Sequence, residues 1–253
     1  MNDVQVVLPI GVYKGEKRYR DAVIRPMTGG TQKKLAQKQV RSDAVKLVNT
    51  LLLDCVVSID GIDRINNSTI SSLYIGDRDF LALEIRKISR GNELTSIVTC
   101  PQCREKLRIV SDLSKEIQIV TQEDVENNGT EFKVVEGVPQ FTLSDPDSDF
   151  TATFTFPNGV AQSNSMRYIM KNPVEGTYAL MYNSLVQWNG KEPKEVTLSV
   201  FDNLTISQSD FLIDQFQKNM PGPIFEIPAT CSSCGEDLTL SLVSSDFLFR
   251  LRD

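Results

Sequence analysis

The sequence predicts an α+β fold made of two pseudo-repeated halves, each with strands, a small helical cluster and a Cys-x-x-Cys β-hairpin. Three observations lead to this prediction. Segments with strand-like and helix-like hydrophobic patterns are mixed along the 253 residues. Two Cys-x-x-Cys pairs, Cys100 with Cys103 and Cys231 with Cys234, lie 131 residues apart. The residues around the two pairs also match each other at that offset.

The internal repeat is clearest between residues 73–107 and 204–238, which are identical at 12 of 35 ungapped positions. Ordinary amino-acid composition gives roughly two identities by chance. The identities include the cysteines and an Asp-Phe-Leu run that begins at Asp79 or Asp210. A shorter match, at an offset of 129, aligns residues 185–190 with residues 56–61.

The extent of the repeat predicts the domain organisation. We expect a first half at residues 1–113 and a second half at residues 150–253. Residues 114–149 are acidic and rich in turn-forming residues, and they are expected to form a connector with some β structure.

Hydrophobic periodicity predicts the elements of the first half. Two strands and a Gly-rich turn come first, and helices follow. One helix has a broad apolar face that includes Val45 and Cys55, so Cys55 is interpreted as a small buried hydrophobe. The last helix has an acidic first turn and ends at Gly91. The expected strands are residues 4–9, 19–25, 94–99 and 106–110, and the expected helices are residues 31–39, 42–57, 69–73 and 77–89.

Hydrophobic periodicity and turn signals also predict the elements of the connector and the second half. Ser207 and Asp210 predict a capping box that starts a helix ending near Lys218. Trp188 is expected to be a core or edge aromatic residue, with an interface anchor as the alternative. The expected strands are residues 117–121, 131–135, 150–156, 224–230 and 238–243, and the expected helices are residues 163–171, 174–186 and 207–218.

Composition excludes several classes of function. The net charge of −6 argues against a nucleic-acid-binding surface, because phosphate binding needs clustered Lys and Arg. Uninterrupted apolar runs are too short for a membrane span, and the amino terminus lacks the pattern of a signal peptide. The absence of histidine excludes Ser-His-Asp and Cys-His catalysis. We therefore expect a protein that is not an enzyme, with no small-molecule substrate, no nucleic acid and no membrane span.

The four paired cysteines are the candidate site. Each Cys-x-x-Cys turn can present two sulfurs to one ion, and two such zinc knuckles complete a tetrahedral Zn²⁺ site. The sequence therefore predicts one structural zinc per chain, held by Cys100, Cys103, Cys231 and Cys234. Three alternatives remain open, namely a redox-active pair, local disulfides and cysteines that have lost their role.

One basic cluster is a second candidate for a functional surface. Arg86, Lys87 and Arg90 lie together on the helix at residues 77–89. A solvated helix face is the simpler interpretation, and a docking contact to an acidic partner is the alternative.

Residues 8–113 resemble the baseplate hub or hub-assembly proteins of contractile-tailed bacteriophages. The resemblance rests on short motifs: Leu8-Pro9-Ile10-Gly11, Arg25-Pro26-Met27-Thr28-Gly29, Leu51-Leu52-Leu53 leading to Cys55-Val56, Gly76-Asp77-Arg78-Asp79-Phe80-Leu81, Glu84-Ile85-Arg86-Lys87-Ile88 with Gly91, and Cys100-Pro101-Gln102-Cys103. The second half departs from these motifs, since Ser207-Gln208-Ser209-Asp210 replaces the Gly-Asp-Arg-Asp run.

The resemblance implies a structural or assembly component of the tail baseplate. Its partners would be other phage baseplate and tail proteins, and its location would be the virion after assembly in the host cytoplasm. A cellular zinc-ribbon adaptor of transcription or translation is the main alternative, which predicts basic residues near the cysteines. A thiol oxidoreductase is the second alternative, and it predicts one reactive pair with a low thiol pKa.

Overall fold

A computed structural model describes residues 3–145 and 150–242 and contains both helices and sheets, as an α+β protein does. The first sheet has three antiparallel strands in the order β1-β2-β3. These strands are β1 Val4–Lys14, β2 Lys17–Ile24 and β3 Val56–Ile59. Five helices accompany this sheet: α1 Gly29–Leu35, α2 Lys38–Arg41, α3 Ala44–Cys55, α4 Asn67–Ser72 and α5 Ile75–Arg90.

Two of the predicted helices in this region have different bounds in the structure. The helix expected at residues 42–57 ends at Cys55, because the β-branched run that begins at Val56 pairs with β2 as strand β3. The helix expected at residues 31–39 is divided into α1 and α2 at Ala36 and Gln37. The prediction for Cys55 is confirmed, since its side chain is fully buried.

The segment expected to be a connector supplies strands to two sheets. It contains α6 Leu113–Glu116, β6 Gln118–Val120, α7 Gln122–Asn127, β7 Glu131–Val135 and β8 Val138–Ser144. Strand β8 pairs with β9, Thr151–Thr155, and buries Phe141 and Leu143. Between its exposed first and last residues, β8 is almost continuously buried, which makes it a core strand.

The second large sheet has the order β10-β9-β8-β7, where β10 is Leu185–Trp188. Helices α8 Gly159–Ile169, α9 Pro173–Tyr182 and α10 Ile206–Lys218 follow in the chain. The capping box of α10 begins two residues before the predicted one. Thr205 is the N-cap, and its side chain and that of Gln208 exchange hydrogen bonds with the backbone. Trp188 is buried and stacks on Phe150, so it is a core residue.

Three two-stranded sheets complete the described part of the chain. Strand β4, Glu93–Thr99, pairs with β5, Lys106–Asp112. Strand β12, Glu226–Thr230, pairs with β13, Asp237–Ser241. Strand β11, Gly222–Ile224, pairs with β6 and so joins the late part of the chain to the predicted connector. Val243, the expected end of the last strand, lies outside the described residues.

Each of the two hydrophobic cores contains residues from both predicted halves of the chain. The first core, around α3 and α5, also contains Ile227, Leu240 and Leu242 from the end of the chain. The second core is rich in phenylalanine and contains Ile10 from β1. Because each core needs residues from both ends of the chain, we expect the described structure to unfold cooperatively.

The Gly-Asp-Arg run at residues 76–78 connects the two cores. The buried carboxylate of Asp77 accepts hydrogen bonds from the backbone N–H groups of Ile10 and Gly11, at 2.7 and 2.8 Å. The buried guanidinium of Arg78 donates to the Ile70 carbonyl and to the Asn49 side chain. These contacts satisfy charges that would be costly to bury unpaired.

The glycines of this region allow close backbone contact. A Cβ atom on Gly76 would lie 1.9 Å from the carbonyl oxygen of Pro221, next to β11. A Cβ atom on Gly159 would lie 2.7 Å from the guanidinium of Arg78. The motifs at residues 8–11 and 76–79 therefore have a structural role, which is to hold β1, α5, α8 and β11 together.

The predicted basic face of α5 is wrong. Arg86 is buried, and its guanidinium donates to the carbonyl oxygens of Gly91 and Glu93 beyond the end of the helix. Lys87 forms an ion pair with Glu84 at 2.7 Å. Arg86 therefore binds carbonyl oxygens where the chain turns into β4, and it is not part of an exposed basic face.

Asp79 gives a pH dependence that can be measured. Burial raises the pKa of its carboxyl group to about 7, and the positive charge of Arg78 lowers it only in part. Because this pKa exceeds the unfolded value of 3.8, the contribution of Asp79 to stability is present below pH 4 and is lost as the pH rises to about 7. We expect Asp79→Asn to be more stable than the wild type by about 1–2 kcal/mol at pH 8 and equally stable near pH 4.

Urea unfolding at both pH values measures this effect, and Asp210→Asn is the matched control. Asp210 occupies the equivalent position of the sequence repeat but is exposed. The control should therefore show no gain at pH 8. A gain at pH 8 that is equal for both variants, or one for Asp79→Asn that persists at pH 4, would contradict the assignment.

Candidate metal centre

The two Cys-x-x-Cys turns lie at the tips of the two hairpins and have the same backbone hydrogen bonds. In the first turn, the Cys100 N–H donates to the Glu105 carbonyl and the Arg104 N–H donates to the Cys100 carbonyl, at 2.9 and 3.0 Å. In the second turn, the Cys231 N–H donates to the Glu236 carbonyl and the Gly235 N–H donates to the Cys231 carbonyl, at 2.8 and 2.9 Å. Each turn is therefore closed around its first cysteine.

A left-handed residue follows each pair of cysteines. Arg104 has a φ of 64° and Gly235 has a φ of 77°. This conformation folds the chain back towards the second strand of the hairpin. Glycine adopts it without steric cost, whereas a residue with a Cβ atom pays roughly 1–2 kcal/mol. Neither residue is among the predicted site residues, although a glycine directly after Cys234 is a recognisable turn signal.

The structure brings all four predicted residues together. The Sγ atoms of Cys100 and Cys234 are 3.7 Å apart, as are those of Cys103 and Cys231. All four sulfur atoms lie within 4.8 Å of one another. Cys100 and Cys231 are buried, and Cys103 and Cys234 are exposed. Each close pair joins one hairpin to the other, so the cluster is shared between distant parts of the chain.

The sulfur separations test which chemistry fits this cluster. A disulfide requires about 2.05 Å between sulfur atoms, and these cysteines are free. Four sulfurs at about 2.3 Å from a central ion, in tetrahedral geometry, lie about 3.8 Å from one another. The observed 3.7 Å agrees with the second arrangement. The cluster is therefore a group of four thiols that could bind one metal ion.

The surroundings of Cys231 favour the thiolate, which is the form that binds metals. The backbone N–H groups of Cys234 and Ser233 hydrogen bond to its sulfur and lower the thiol pKa to about 7. Next to the cluster, apolar side chains of Leu107 and Leu238 pack between the hairpins. The site is thus partly shielded from water on the side of Cys100 and Cys231.

The redox alternative predicts a different local structure. Disulfide-exchange motifs place the reactive cysteine at a helix N-terminus, where the helix dipole stabilises the thiolate. Here a β-strand precedes and follows each pair of cysteines. Cys55 is remote from the cluster, and burial raises its thiol pKa to about 11, with a further contribution from Asp54. It is therefore not a fifth ligand or a resolving thiol.

The left-handed residues provide a test of the knuckle geometry. Gly235→Ala is expected to destabilise the protein by about 1 kcal/mol, because alanine is strained at this φ. Arg104→Gly is expected to be slightly stabilising, since relief of strain exceeds the added entropy of the unfolded chain. Denaturant unfolding of both variants measures the two changes, and the same sign for both would contradict the described turns.

The described helices were also compared with the length and hydropathy that a membrane span needs. None of them is long and apolar enough to cross a membrane.

Comparison with known proteins assigns the family. The model of the T4 bacteriophage base plate protein family matches residues 1–249, which extends the likeness beyond residues 8–113 and through the second half. The chain shows no significant match to a curated protein or to a solved structure. Membership of this family implies a location in the tail of the virion. Because the match covers nearly the whole sequence, the chain belongs to the T4 bacteriophage base plate protein family.

Proposed function

We propose that this protein is a structural or assembly component of the hub or wedge region of a phage contractile-tail baseplate. It acts by binding other baseplate and tail proteins, and it assembles with them in the host cytoplasm. One structural Zn²⁺ per chain stiffens it, with Cys100, Cys103, Cys231 and Cys234 as the ligands. The observation on which this proposal rests is the four-thiol cluster shared by two hairpins of a baseplate-family chain.

The donor set favours a structural rather than a catalytic metal. Four thiolates complete the tetrahedral coordination of Zn²⁺, so no position remains for water or substrate. The bound ion would link strands β4 and β5 to strands β12 and β13, which are separated by more than a hundred residues in sequence. A protein built in this way is suited to holding its partners in register, and we propose that it is not an enzyme.

The order of elements supports the proposed internal repeat. Helices α5 and α10 begin at Ile75 and Ile206, which the repeat places in equivalent positions. Strands β3 and β10 occupy equivalent residues at the offset of 129. The three-stranded order β1-β2-β3 also corresponds to β8-β9-β10. We propose that the chain arose from two copies of one unit, which then exchanged hairpin and strand contacts.

A phage complementation experiment tests the baseplate role. A phage that lacks this gene is expected to produce no complete contractile tails, and the wild-type gene supplied in trans should restore them. The variant with Cys100→Ser and Cys103→Ser should complement poorly, whereas Asp210→Asn, on an exposed helix face, should complement fully. Normal tails from the deletion phage would refute the proposed role.

A further inference from the structure

The two larger sheets share one pairing pattern, which allows their strands to be compared residue by residue. In the first sheet, Ile24 of β2 pairs with Val4 of β1. In the second sheet, Phe154 of β9 pairs with Phe141 of β8. On the other side of each central strand, the pairing is irregular at the same point, next to Ile24 or Phe154. Val4 and Phe141 therefore occupy equivalent positions.

These two equivalent residues differ in what covers them. Phe141 is fully buried, and β7 pairs with the outer edge of β8 so that Phe132 lies directly opposite it. The Phe132 ring also stacks on Phe156, with 6.1 Å between the ring centroids. Val4 is 37% exposed, and within the described ranges no strand pairs with the outer edge of β1. The first sheet therefore has an open position where the second sheet has a fourth strand.

The open edge of β1 lacks the features that usually prevent strand pairing. Natural edge strands are protected by charged side chains, proline or a bulge. Residues 4–7 are Val-Gln-Val-Val, and Val7 is 53% exposed. The irregular stretch of β1 begins only after Val7, so these residues pair regularly with β2. Strand β7, an edge strand of the second sheet, instead contains Glu131 and Lys133. The edge of β1 is therefore suited to pairing with a further strand.

We propose that the outer edge of β1 accepts an extended segment of another protein as an additional antiparallel strand. The position opposite Val4 corresponds to Phe132, so the segment needs a large apolar residue there, preferably an aromatic one. The next position corresponds to Lys133, which pairs with Gln140, the equivalent of Asp3. A basic residue at this position would face the exposed side chain of Asp3.

This mode of recognition combines two kinds of contact. Backbone hydrogen bonds to the strand edge supply affinity, and side chains at alternate positions supply specificity. The apolar residue and the basic residue of the segment lie on opposite faces of the sheet, because neighbouring residues of a strand alternate. The inference goes beyond the proposed baseplate role and does not depend on it.

A synthetic peptide with the sequence of residues 130–136 is the probe, because it contains β7 with Phe132 and Lys133. Amide chemical shifts of the isotope-labelled protein locate the peptide. We expect a dissociation constant of about 0.1–1 mM, since a short peptide must be ordered on binding, and shift changes confined to β1 and β2. Absence of binding at several millimolar peptide, or shift changes in β8 instead of β1, would overturn the proposal.

Two matched substitutions test the position of the contact. Val4→Lys places a charge where the aromatic ring should pack, and Val134→Lys places one on β7 at a residue of nearly equal exposure, 37% against 38%. Circular dichroism should show that both variants are folded. Peptide affinity should fall at least about tenfold for Val4→Lys, because binding would bury an unpaired charge, and should be unchanged for Val134→Lys. Equal affinities of the two variants would overturn the proposal.

A changed peptide and the protein alone complete the test. The peptide with Phe132→Ser should bind at least about tenfold more weakly, because it lacks the apolar contact with Val4. Undiminished binding of this peptide would contradict the proposed recognition. Sedimentation equilibrium without peptide should give the same result for the wild type and for Val4→Lys. Self-association that Val4→Lys abolishes would overturn the proposal, since a second copy of this protein would then occupy the edge.

Discussion

Replacing both cysteines of one knuckle, Cys231→Ser with Cys234→Ser, is expected to lower the stability of the protein by at least about 4 kcal/mol. A ligand at a thousand times its dissociation constant stabilises the folded state by this amount, and structural zinc sites bind more tightly. For a chain of this size, the loss corresponds to a fall in Tm of roughly 10 °C. Thermal unfolding in the presence of equimolar zinc measures the change.

The other knuckle supplies the control for this experiment. If one ion is shared, Cys100→Ser with Cys103→Ser should cost about the same free energy, because either change leaves only two thiolates. The variant that lacks all four cysteines should then be no less stable than either double variant, apart from small local effects. Additive losses from the two knuckles would instead indicate two independent sites.

Loss of the metal should loosen the hairpins without separating the rest of the chain. Strand β11 still pairs with β6, and Asp77 still binds the backbone of β1. Both cores also retain residues from the two ends of the chain. We therefore expect the double variants to unfold in one cooperative transition at a lower temperature.

Gly76→Ala is expected to destabilise the protein by about 3 kcal/mol or more, although alanine normally favours a helix. The new Cβ atom would lie 1.9 Å from the carbonyl oxygen of Pro221 and 2.8 Å from its carbonyl carbon. Both are backbone atoms next to β11, so the clash can be relieved only by moving α5 away from that strand. Overpacking of this kind typically costs 1–3 kcal/mol, and displacement of a strand adds to it.

Gly29→Ala is the matched control for this substitution. Gly29 also lies in the first turn of a helix, but no atom comes within 4 Å of its added Cβ atom. Alanine at this position should be neutral or stabilising by up to about 1 kcal/mol. Equal urea midpoints for the two variants would contradict the close contact between α5 and β11.

The approach of the four cysteines and the local elements could be predicted from the sequence because their signals are local. A Cys-x-x-Cys turn defines its own geometry within a few residues, and the repeat at an offset of 131 relates the two turns. Helix α5 has an apolar face and ends at Gly91, as expected. The predicted strand at residues 131–135 coincides with β7.

The contacts between distant segments could not be predicted in the same way. Strand β8 is central to its sheet, yet acidic and turn-forming neighbours make its segment resemble a linker. From the sequence alone, Arg86 is expected to be a surface residue. Its burial depends on the turn that follows α5, which brings two carbonyl oxygens to its guanidinium. The role of Gly76 depends on Pro221, which lies far away in sequence. Such contacts depend on the tertiary arrangement, and local propensity contains no signal for them.

The shared metal centre is the central claim, and X-ray absorption at the zinc edge tests it most directly. The protein should be purified without chelator, and its zinc content should be measured on the same sample. We expect one zinc per chain, surrounded by four sulfur atoms at about 2.3 Å, from Cys100, Cys103, Cys231 and Cys234. Protein without zinc, or zinc with two sulfur ligands and a remainder of oxygen or nitrogen, would contradict a site shared by the two hairpins.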